Sequence, residues 1–331
     1  MAVFVEWTLL GLLWLTAGGL ALWIAGAIYF DVGHGAAFGK LLALMWLVGV
    51  VVLFLVWHPL WQPFLVFAGV AILFIGWWLS QKPRHDRDWD PSVSLLPRCV
   101  RQNDAITFEN VRDFQYRSLS DFSPHYVTRT VHLANLNAVD VIFFNWGVRW
   151  MSHPVLVFDF GPDGRICMSI EVRYRKDQKY STLRSLYRQQ ELIFLAAEER
   201  DVILRRTKHS PNQTAHLYRM IVPREELHAA FLDYCDMINK LYQSPRWYHG
   251  LCANCTTSYY RLPNTRIRFD WRVLLNGRLE QALYADGRID RSLPFEDLRR
   301  LAFINEIANA APEDGFGDHL RLELERLRHE R

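Results

Sequence analysis

The first 81 residues constrain the fold most, because they are almost free of charged side chains. Only Glu6, Asp31 and Lys40 are charged in this region. The run from Trp7 to Phe30 has no charged residue and carries aromatic residues suited to a membrane interface. Its length fits one transmembrane helix, since about 20 apolar residues cross a bilayer. A cleaved signal peptide would have a basic start and a shorter apolar core.

A second apolar stretch, Leu41 to Leu79, contains no Asp, Glu, Lys or Arg. The pairs His58-Pro59 and Gln62-Pro63 interrupt it. Because proline breaks or begins helices, this pattern favours two helices joined by a tight turn. The sequence therefore predicts a membrane domain over residues 1–81 with three transmembrane helices, at about 7–30, 41–57 and 60–79.

The remaining chain reads as a polar linker over 82–95 and a water-soluble domain over 96–331. The whole chain carries 38 basic and 35 acidic residues, a net charge of +3. This balance is too weak to indicate nucleic acid as a partner and is compatible with an anionic lipid surface.

The soluble domain alternates strands and helices, which predicts an α+β fold. Alternating apolar residues predict strands at 126–133 and 139–144. The turn Gly-Pro-Asp-Gly between 154–160 and 166–174 predicts a β-hairpin. We expect helices at 180–195 and 224–242, a short strand at 201–206, and a helical tail over 295–331 broken near 308–312.

Cys255 is the candidate nucleophile. It stands in Asn-Cys-Thr-Thr, a run that would place the thiol among amide donors if it opens a helix. Helix N-termini lower thiol pKa values and so produce nucleophilic cysteines. Cys252 and Cys255 also form a C-x-x-C, but the flanking residues do not fit a redox enzyme or a zinc site. A disulfide between these two cysteines would also fit the spacing and would remove the thiol.

A catalytic thiol needs a base, and His153 is the best placed of the twelve histidines. It directly precedes the apolar strand 154–158, and Glu171, on the second strand of the predicted hairpin, could orient its ring. An odd number of loop residues places the two side chains on one face, whereas a two-residue loop does not. The alternative is a structural histidine, with Glu171 paired to Arg173. A surface basic patch is expected at Arg205, Arg206, Lys208 and His209.

Several motifs in order resemble the bacterial Lnb N-terminal periplasmic domain family over most of residues 85–315. They are Trp146-Gly147, His153, Ser169-Ile-Glu-Val-Arg173, Arg188-Gln-Gln-Glu-Leu192, Trp247-Tyr248, Asn254-Cys-Thr-Thr257, Ser292-Leu-Pro-Phe-Glu-Asp-Leu-Arg299 and Ile304-Asn-Glu306. The resemblance implies a permuted papain-like (NlpC-type) cysteine domain with an antiparallel sheet, in which the histidine precedes the cysteine.

The resemblance also implies a function, because relatives are linked to lipoprotein N-acylation with a phospholipid as acyl donor. It makes Cys255 the nucleophile, His153 the base and Glu171 the third member, with no cofactor and no metal. The expected supporting residues are Trp146, Arg173, Tyr248, Asn254 and Thr256. The acceptor would be an amine, such as the N-terminal cysteine of a lipoprotein. The sequence does not fix the oligomeric state.

The sequence leaves two questions open: the side of the membrane on which the soluble domain lies, and the activity of that domain. The positive-inside count places the soluble domain in the cytoplasm, because Lys40 and the segment 82–87 share one side. The resemblance instead implies the bacterial inner membrane with the domain in the periplasm. A cysteine peptidase or amidase acting on envelope peptides or peptidoglycan would use the same residues. A binding or assembly module with a structural cysteine is the non-enzymatic alternative.

Overall fold

The chain folds into two compact units. A computed structural model describes residues 2–147, 152–178, 181–210, 212–250, 253–254 and 278–330. The helical unit comprises Met1–Asp86 together with Tyr180–Glu191. The sheet unit comprises Arg87–Lys179 and Leu192–Arg331.

The helical unit contains the three apolar helices that the sequence predicts. Helix α1 spans Ala2–Ala27 and continues as a π-helical turn over Ile28–Val32; α2 spans Ala37–Val56 and α3 spans Trp61–Ser80. Each is long and apolar enough to cross a membrane. Pro63 lies in the first turn of α3, where a missing amide proton costs no intrahelical hydrogen bond.

A twelve-residue segment from the middle of the chain, 180–191, packs within the helical unit. The carboxylate of Asp31, beyond the end of α1, accepts hydrogen bonds from Trp78 Nε1 and Gln189 Nε2, each at 2.7 Å. The Arg188 guanidinium lies 4.2 Å from the ring centroid of Trp78 and donates to the carbonyl of Leu79 at 3.0 Å. Polar and cation–π contacts therefore fix this segment to α1 and α3.

The helix expected over 180–195 is wrong. The chain forms one 3₁₀ turn at Arg184–Leu186 and then strand β9 at Glu191–Ala197. All seven residues of β9 are buried. A continuous apolar run of this length fits a buried strand as well as a helix, which is why periodicity misassigned it.

The sheet unit is built on one large, mostly antiparallel sheet. Its strands follow the order β1-β2-β9-β8-β7-β6-β10, and β5 pairs with β2 beside this path. The strands are β1 Arg98–Gln102, β2 Ala105–Arg112, β5 Tyr126–His132, β6 Ala138–Asn145, β7 Ser152–Asp159, β8 Arg165–Arg173 and β10 Thr214–Arg219. A separate short pair consists of β3 Gln115–Tyr116 and β4 Phe122–Ser123. The strands predicted at 126–133 and 139–144 and the predicted hairpin are confirmed.

Helix α5, Arg224–Gln243, covers one face of the sheet and confirms the helix predicted at 224–242. Its buried side chains Phe231 and Tyr234 contact aromatic residues of the strands, including Phe158 and Phe194. Asn239 on the same helix accepts from the amide of Cys99 at 3.0 Å and donates to the Cys99 carbonyl at 2.9 Å. Packing and hydrogen bonding together fix α5 against the sheet and its first strand.

The other face is covered by helix α4, Glu199–Thr207, and by helices of the tail. The strand expected at 201–206 is wrong, because these residues form α4. The tail forms α7 Phe295–Leu301, α8 Asn305–Ala310 and α9 Phe316–His329, preceded by α6 Leu279–Ala285. The break expected near 308–312 lies between α8 and α9.

Part of the predicted linker packs on the sheet unit. Trp89, Ser92 and Val93 are buried, and the guanidinium of Arg173 lies 4.2 Å from the ring centroid of Trp89. The same guanidinium donates to the carbonyls of Val93 and Ser94. The second half of 82–95 is therefore held by the domain that it enters.

Candidate active site

The β7–β8 hairpin brings His153 and Glu171 together. Asp159 pairs with Arg165 and Val155 with Ser169, which leaves five residues in the connection. Gly164 in this connection has φ +86°, a conformation that glycine adopts without strain. Continuing the register by two residues sets His153 opposite Glu171. The connection has an odd number of residues, so both side chains lie on one face of the sheet, as the pairing of His153 with Glu171 requires.

Three side chains form a buried hydrogen-bonded cluster. His153 is 5% exposed, and its Nε2 lies 2.8 Å from Ser169 Oγ and 3.0 Å from Glu171 Oε1. Ser169 Oγ donates to the same carboxylate oxygen at 2.8 Å. Because an ionised carboxylate only accepts, this geometry places the ring proton on Nε2. Nδ1 is then the ring nitrogen with a lone pair in neutral His153, the form that a general base requires.

Arg206 is a member of this cluster that sequence reasoning missed. Its Nη2 donates to Glu171 Oε1 at 2.7 Å, and its guanidinium carbon lies 4.7 Å from the centroid of the Phe144 ring. The residue is buried, so the expectation of a surface patch is wrong for Arg206. Although burial alone would raise the pKa of Glu171, the electrostatic and hydrogen-bond interactions with His153 and the positive charge of Arg206 hold it well below its ordinary value.

Helix signals around Arg206 could have identified its position. The first turn of α4 carries Glu199 and Asp201, and the last carries Arg205 and Arg206, which matches the helix dipole. Burial of residues 202, 203, 206 and 207 follows helical spacing. Reading this run as a helix would have turned Arg206 inward and left Arg205 at the edge of the buried face.

A second buried ion pair fixes the start of α4. Arg112 on β2 contacts Asp201, with Nη2 at 2.6 Å and Nε at 3.0 Å from Oδ1. The amide of Phe114 donates to Asp201 Oδ2 at 2.6 Å. Since both partners are at most 1% exposed, the pair anchors α4 to the sheet and thereby sets the position of Arg206.

The expected supporting residues take different positions. The ring centroids of Trp146 and His153 are 6.3 Å apart, and Trp146 precedes a left-handed turn at Gly147, with φ +76°. Tyr248 is buried in the hydrophobic core beside α5. The guanidinium of Arg173 donates to the carbonyls of Val93 and Ser94, so it holds the linker against the sheet unit.

An isolated antiparallel β-bridge lies just before the candidate nucleophile in the sequence. His249 and Ala253 exchange backbone hydrogen bonds at 3.1 and 2.9 Å, and Asn254 Nδ2 donates to the carbonyl of Gly250 at 2.7 Å. Cys252, Cys255 and Thr256 lie outside the described residues. The contact between Cys255 and His153 therefore stays a prediction.

The described residues contain neither a second reactive thiol nor a metal-binding cluster. Across those residues, no group of three or more His, Cys, Asp or Glu side chains is arranged to hold a metal ion. Cys99, Cys167 and Cys235 are buried free thiols, and burial raises the pKa of the Cys167 thiol well above its ordinary value. Such thiols are poor nucleophiles.

Comparison with known proteins identifies the family. A search of curated proteins and a search of solved structures both gave no match. The family model described as the Lnb N-terminal periplasmic domain matches residues 122–302, more than half of the chain. The match covers the β7–β8 hairpin with His153 and Glu171, and also α4 with Arg206. The chain therefore belongs to the Lnb N-terminal periplasmic domain family.

Proposed function

We propose that the protein is a membrane-bound thiol acyltransferase that uses Cys255 as nucleophile and His153 as base. The observation that carries the proposal is the buried His153–Glu171 hydrogen bond, because it orients an imidazole and supports its positive charge. Two observations support a function at a lipid surface: the three apolar helices, and the match to a periplasmic-domain family. We place the protein in the bacterial inner membrane with the sheet unit in the periplasm.

The first half-reaction would form a thioester. His153 Nδ1 takes the thiol proton of Cys255, and the thiolate attacks the carbonyl carbon of a phospholipid ester. Collapse of the tetrahedral intermediate breaks the bond between that carbon and the ester oxygen. The imidazolium of His153 returns its proton to this oxygen, and the lysophospholipid leaves. Glu171 stabilises the imidazolium, and the backbone amide of Cys255 would donate to the oxyanion.

The second half-reaction would transfer the acyl group to an amine, such as the one at the N-terminal cysteine of a lipoprotein. The amine attacks the thioester carbon, and His153 accepts the proton that the nitrogen loses. The carbon–sulfur bond breaks, and the resulting thiolate recovers the proton from His153. An amide forms, and the enzyme returns to its starting state. Holding both lipid substrates at one membrane depth would raise their effective concentration.

Intact mass spectrometry of the full-length protein in phospholipid vesicles tests the proposal. We expect an acyl adduct on the wild type that hydroxylamine removes and that Cys255→Ala abolishes. Cys252→Ala is the matched control and should keep the adduct. His153→Gln should slow adduct formation by about 10²- to 10⁴-fold, the usual contribution of a general base. Absence of an adduct on folded wild-type protein, or an adduct retained by Cys255→Ala, would refute the thioester mechanism.

A cysteine peptidase or amidase is the second candidate, and one observation favours it. A polar, open cleft lies beside the sheet end that carries His153, and its lining suits a peptide better than an acyl chain. In that reaction water would attack the thioester in place of the amine. Release of a free peptide carboxylate without any lipid-derived adduct would select this candidate.

A further inference from the structure

A cleft of about 620 Å³ opens at the end of β6, beyond His153. Asn145 at its rim pairs across the sheet with Ser152, the residue before His153. The lining side chains are nearly all polar and carry both signs of charge; they include Asn145, Thr214, Arg278, Glu280, Glu296 and Arg299. A volume of this size suits a ligand larger than one headgroup.

A buried carboxylate forms part of the wall of this cleft. Glu280 is 3% exposed and accepts hydrogen bonds from Tyr218 Oη at 3.0 Å, Arg299 Nε at 3.1 Å and Asn145 Nδ2 at 3.1 Å. Burial and the adjacent Glu280 raise the pKa of Tyr218, so its hydroxyl keeps the proton that it donates. These contacts fix the orientation of Asn145 and Arg299 before any ligand binds.

A neutral histidine lines an adjoining pocket. His216 is 5% exposed and, with Glu296 and Arg299, lines a pocket of about 230 Å³. Burial and the charge of Arg299 lower the pKa of His216 to about 3, which keeps the ring neutral. Its Nδ1 is buried and makes no hydrogen bond to any of the residues that the structure describes. Leaving such an atom unsatisfied costs free energy, and a hydrogen bond from a ligand group would remove that cost.

We propose that this cleft binds the polypeptide part of the amine acceptor, a short polar peptide with a positive charge near Glu296. The inference rests on the proposed acyl transfer, since it assigns a place to the second substrate. Peptide amides provide the donors and acceptors that Asn145, Thr214 and His216 can satisfy. Glu296 is exposed and forms no ion pair with the described residues, so its carboxylate is available to a cation.

Acyl chains do not fit this lining. An acyl chain needs apolar walls, and among the described residues that line the cleft Phe295 is the one large apolar side chain. A zwitterionic lipid headgroup could use the same charges but would fill a small part of the volume. We therefore assign the cleft to the peptide, and the headgroup becomes an outcome of the experiment.

The experiment separates the two half-reactions of the full-length protein in vesicles. Adduct formation is followed by intact mass spectrometry, and transfer is measured to a diacylated lipopeptide and to hydroxylamine. The cleft variants are Glu296→Arg, which reverses a charge, and Gln281→Trp, which fills space at an exposed lining position. Glu325→Arg, at an exposed position on α9, is the matched control.

We expect both cleft variants to form the adduct at the wild-type rate and to release it normally to hydroxylamine. Transfer to the lipopeptide should fall by about tenfold or more in kcat/KM, because a reversed charge or a filled cleft opposes the peptide. The control variant should transfer normally.

Two outcomes would overturn the inference. Normal lipopeptide transfer by both cleft variants would show that the cleft is not used. A loss of adduct formation would assign the cleft to the headgroup of the donor lipid. Failure of the proposed function is distinct from both, since the wild type would then form no adduct at all.

Discussion

Replacing Arg206 with methionine should move the acid limit of activity to higher pH. The guanidinium lies 2.7 Å from Glu171 Oε1, and the two side chains are 9% and 18% exposed. Two charges about 4 Å apart interact by about 4 kcal/mol at the effective dielectric constant of protein sites. Losing Arg206 should therefore raise the pKa of Glu171, because burial then acts on a carboxylate that has lost one of its positive neighbours.

The sign of the effect follows from the depressed pKa of Glu171 in the wild type. A carboxylate with a lowered folded-state pKa stabilises the fold above its ordinary pKa, and this contribution disappears as the pH falls through the lowered value. The wild type should therefore keep its oriented His153 well into acid. In Arg206→Met, burial is no longer offset by the guanidinium, so Glu171 takes up a proton at higher pH.

The assay is the rate of adduct formation on Cys255 with a water-soluble activated acyl ester, measured between about pH 4 and pH 8. A soluble ester keeps membrane charge out of the pH profile. Arg206→Lys retains a positive charge and should restore most of the wild-type acid limit. Arg205→Met removes the neighbouring arginine, whose charge also lowers the pKa of Glu171 but acts without a hydrogen bond, so it should move the limit in the same direction by a smaller amount.

Stability gives an independent readout. Removing one partner of a buried ion pair costs about 3–5 kcal/mol, so Arg206→Met should lower the free energy of unfolding measurably. An acid limit in folded Arg206→Met that coincides with that of the wild type would refute the role given to Arg206.

Three further changes test other parts of the structure. Asp201→Asn should cost about 3–5 kcal/mol of unfolding free energy in urea titrations, because it breaks a buried ion pair, whereas Asp121→Asn at an exposed pair should cause no measurable loss. Phe231→Ala should cost about 3–5 kcal/mol by leaving a cavity under the sheet, and Leu119→Ala, at an exposed site, should change stability little; equal losses would contradict the assigned core. Asp31→Leu should speed hydrogen exchange in segment 180–191 while leaving exchange in α5 unchanged, and unaltered exchange in the segment would contradict its attachment to α1.

Features with strong local signals were predictable from the sequence. The apolar runs predicted three helices long enough to cross a membrane, since a helix satisfies its backbone hydrogen bonds within one segment of about 20 residues. Apolar spacing in 224–243 gave α5, and turn residues gave the β7–β8 hairpin. The pairing of His153 with Glu171 followed once the loop length was known. Each of these rests on contacts close in sequence.

Features set by distant contacts were not predictable in the same way. Strand β9 was mistaken for part of a helix because its residues are buried on both faces and show no alternation. The short apolar run in α4 was mistaken for a strand, and this error hid Arg206. Segment 180–191 takes its structure from Asp31 and Trp78, which lie more than 100 residues away along the chain. No local pattern encodes such a partner.

The attachment of segment 180–191 to the apolar helices has a consequence for how the protein can be divided. A fragment beginning at residue 87 would keep Gln189 but remove Asp31, which now accepts its hydrogen bond. Tyr187 would lose the rings of Trp23 and Phe30, and an apolar surface would be exposed to water. Exchanging the helices for an unrelated membrane anchor would cause the same loss. The three helices are thus a folding partner for segment 180–191, in addition to any role in membrane attachment.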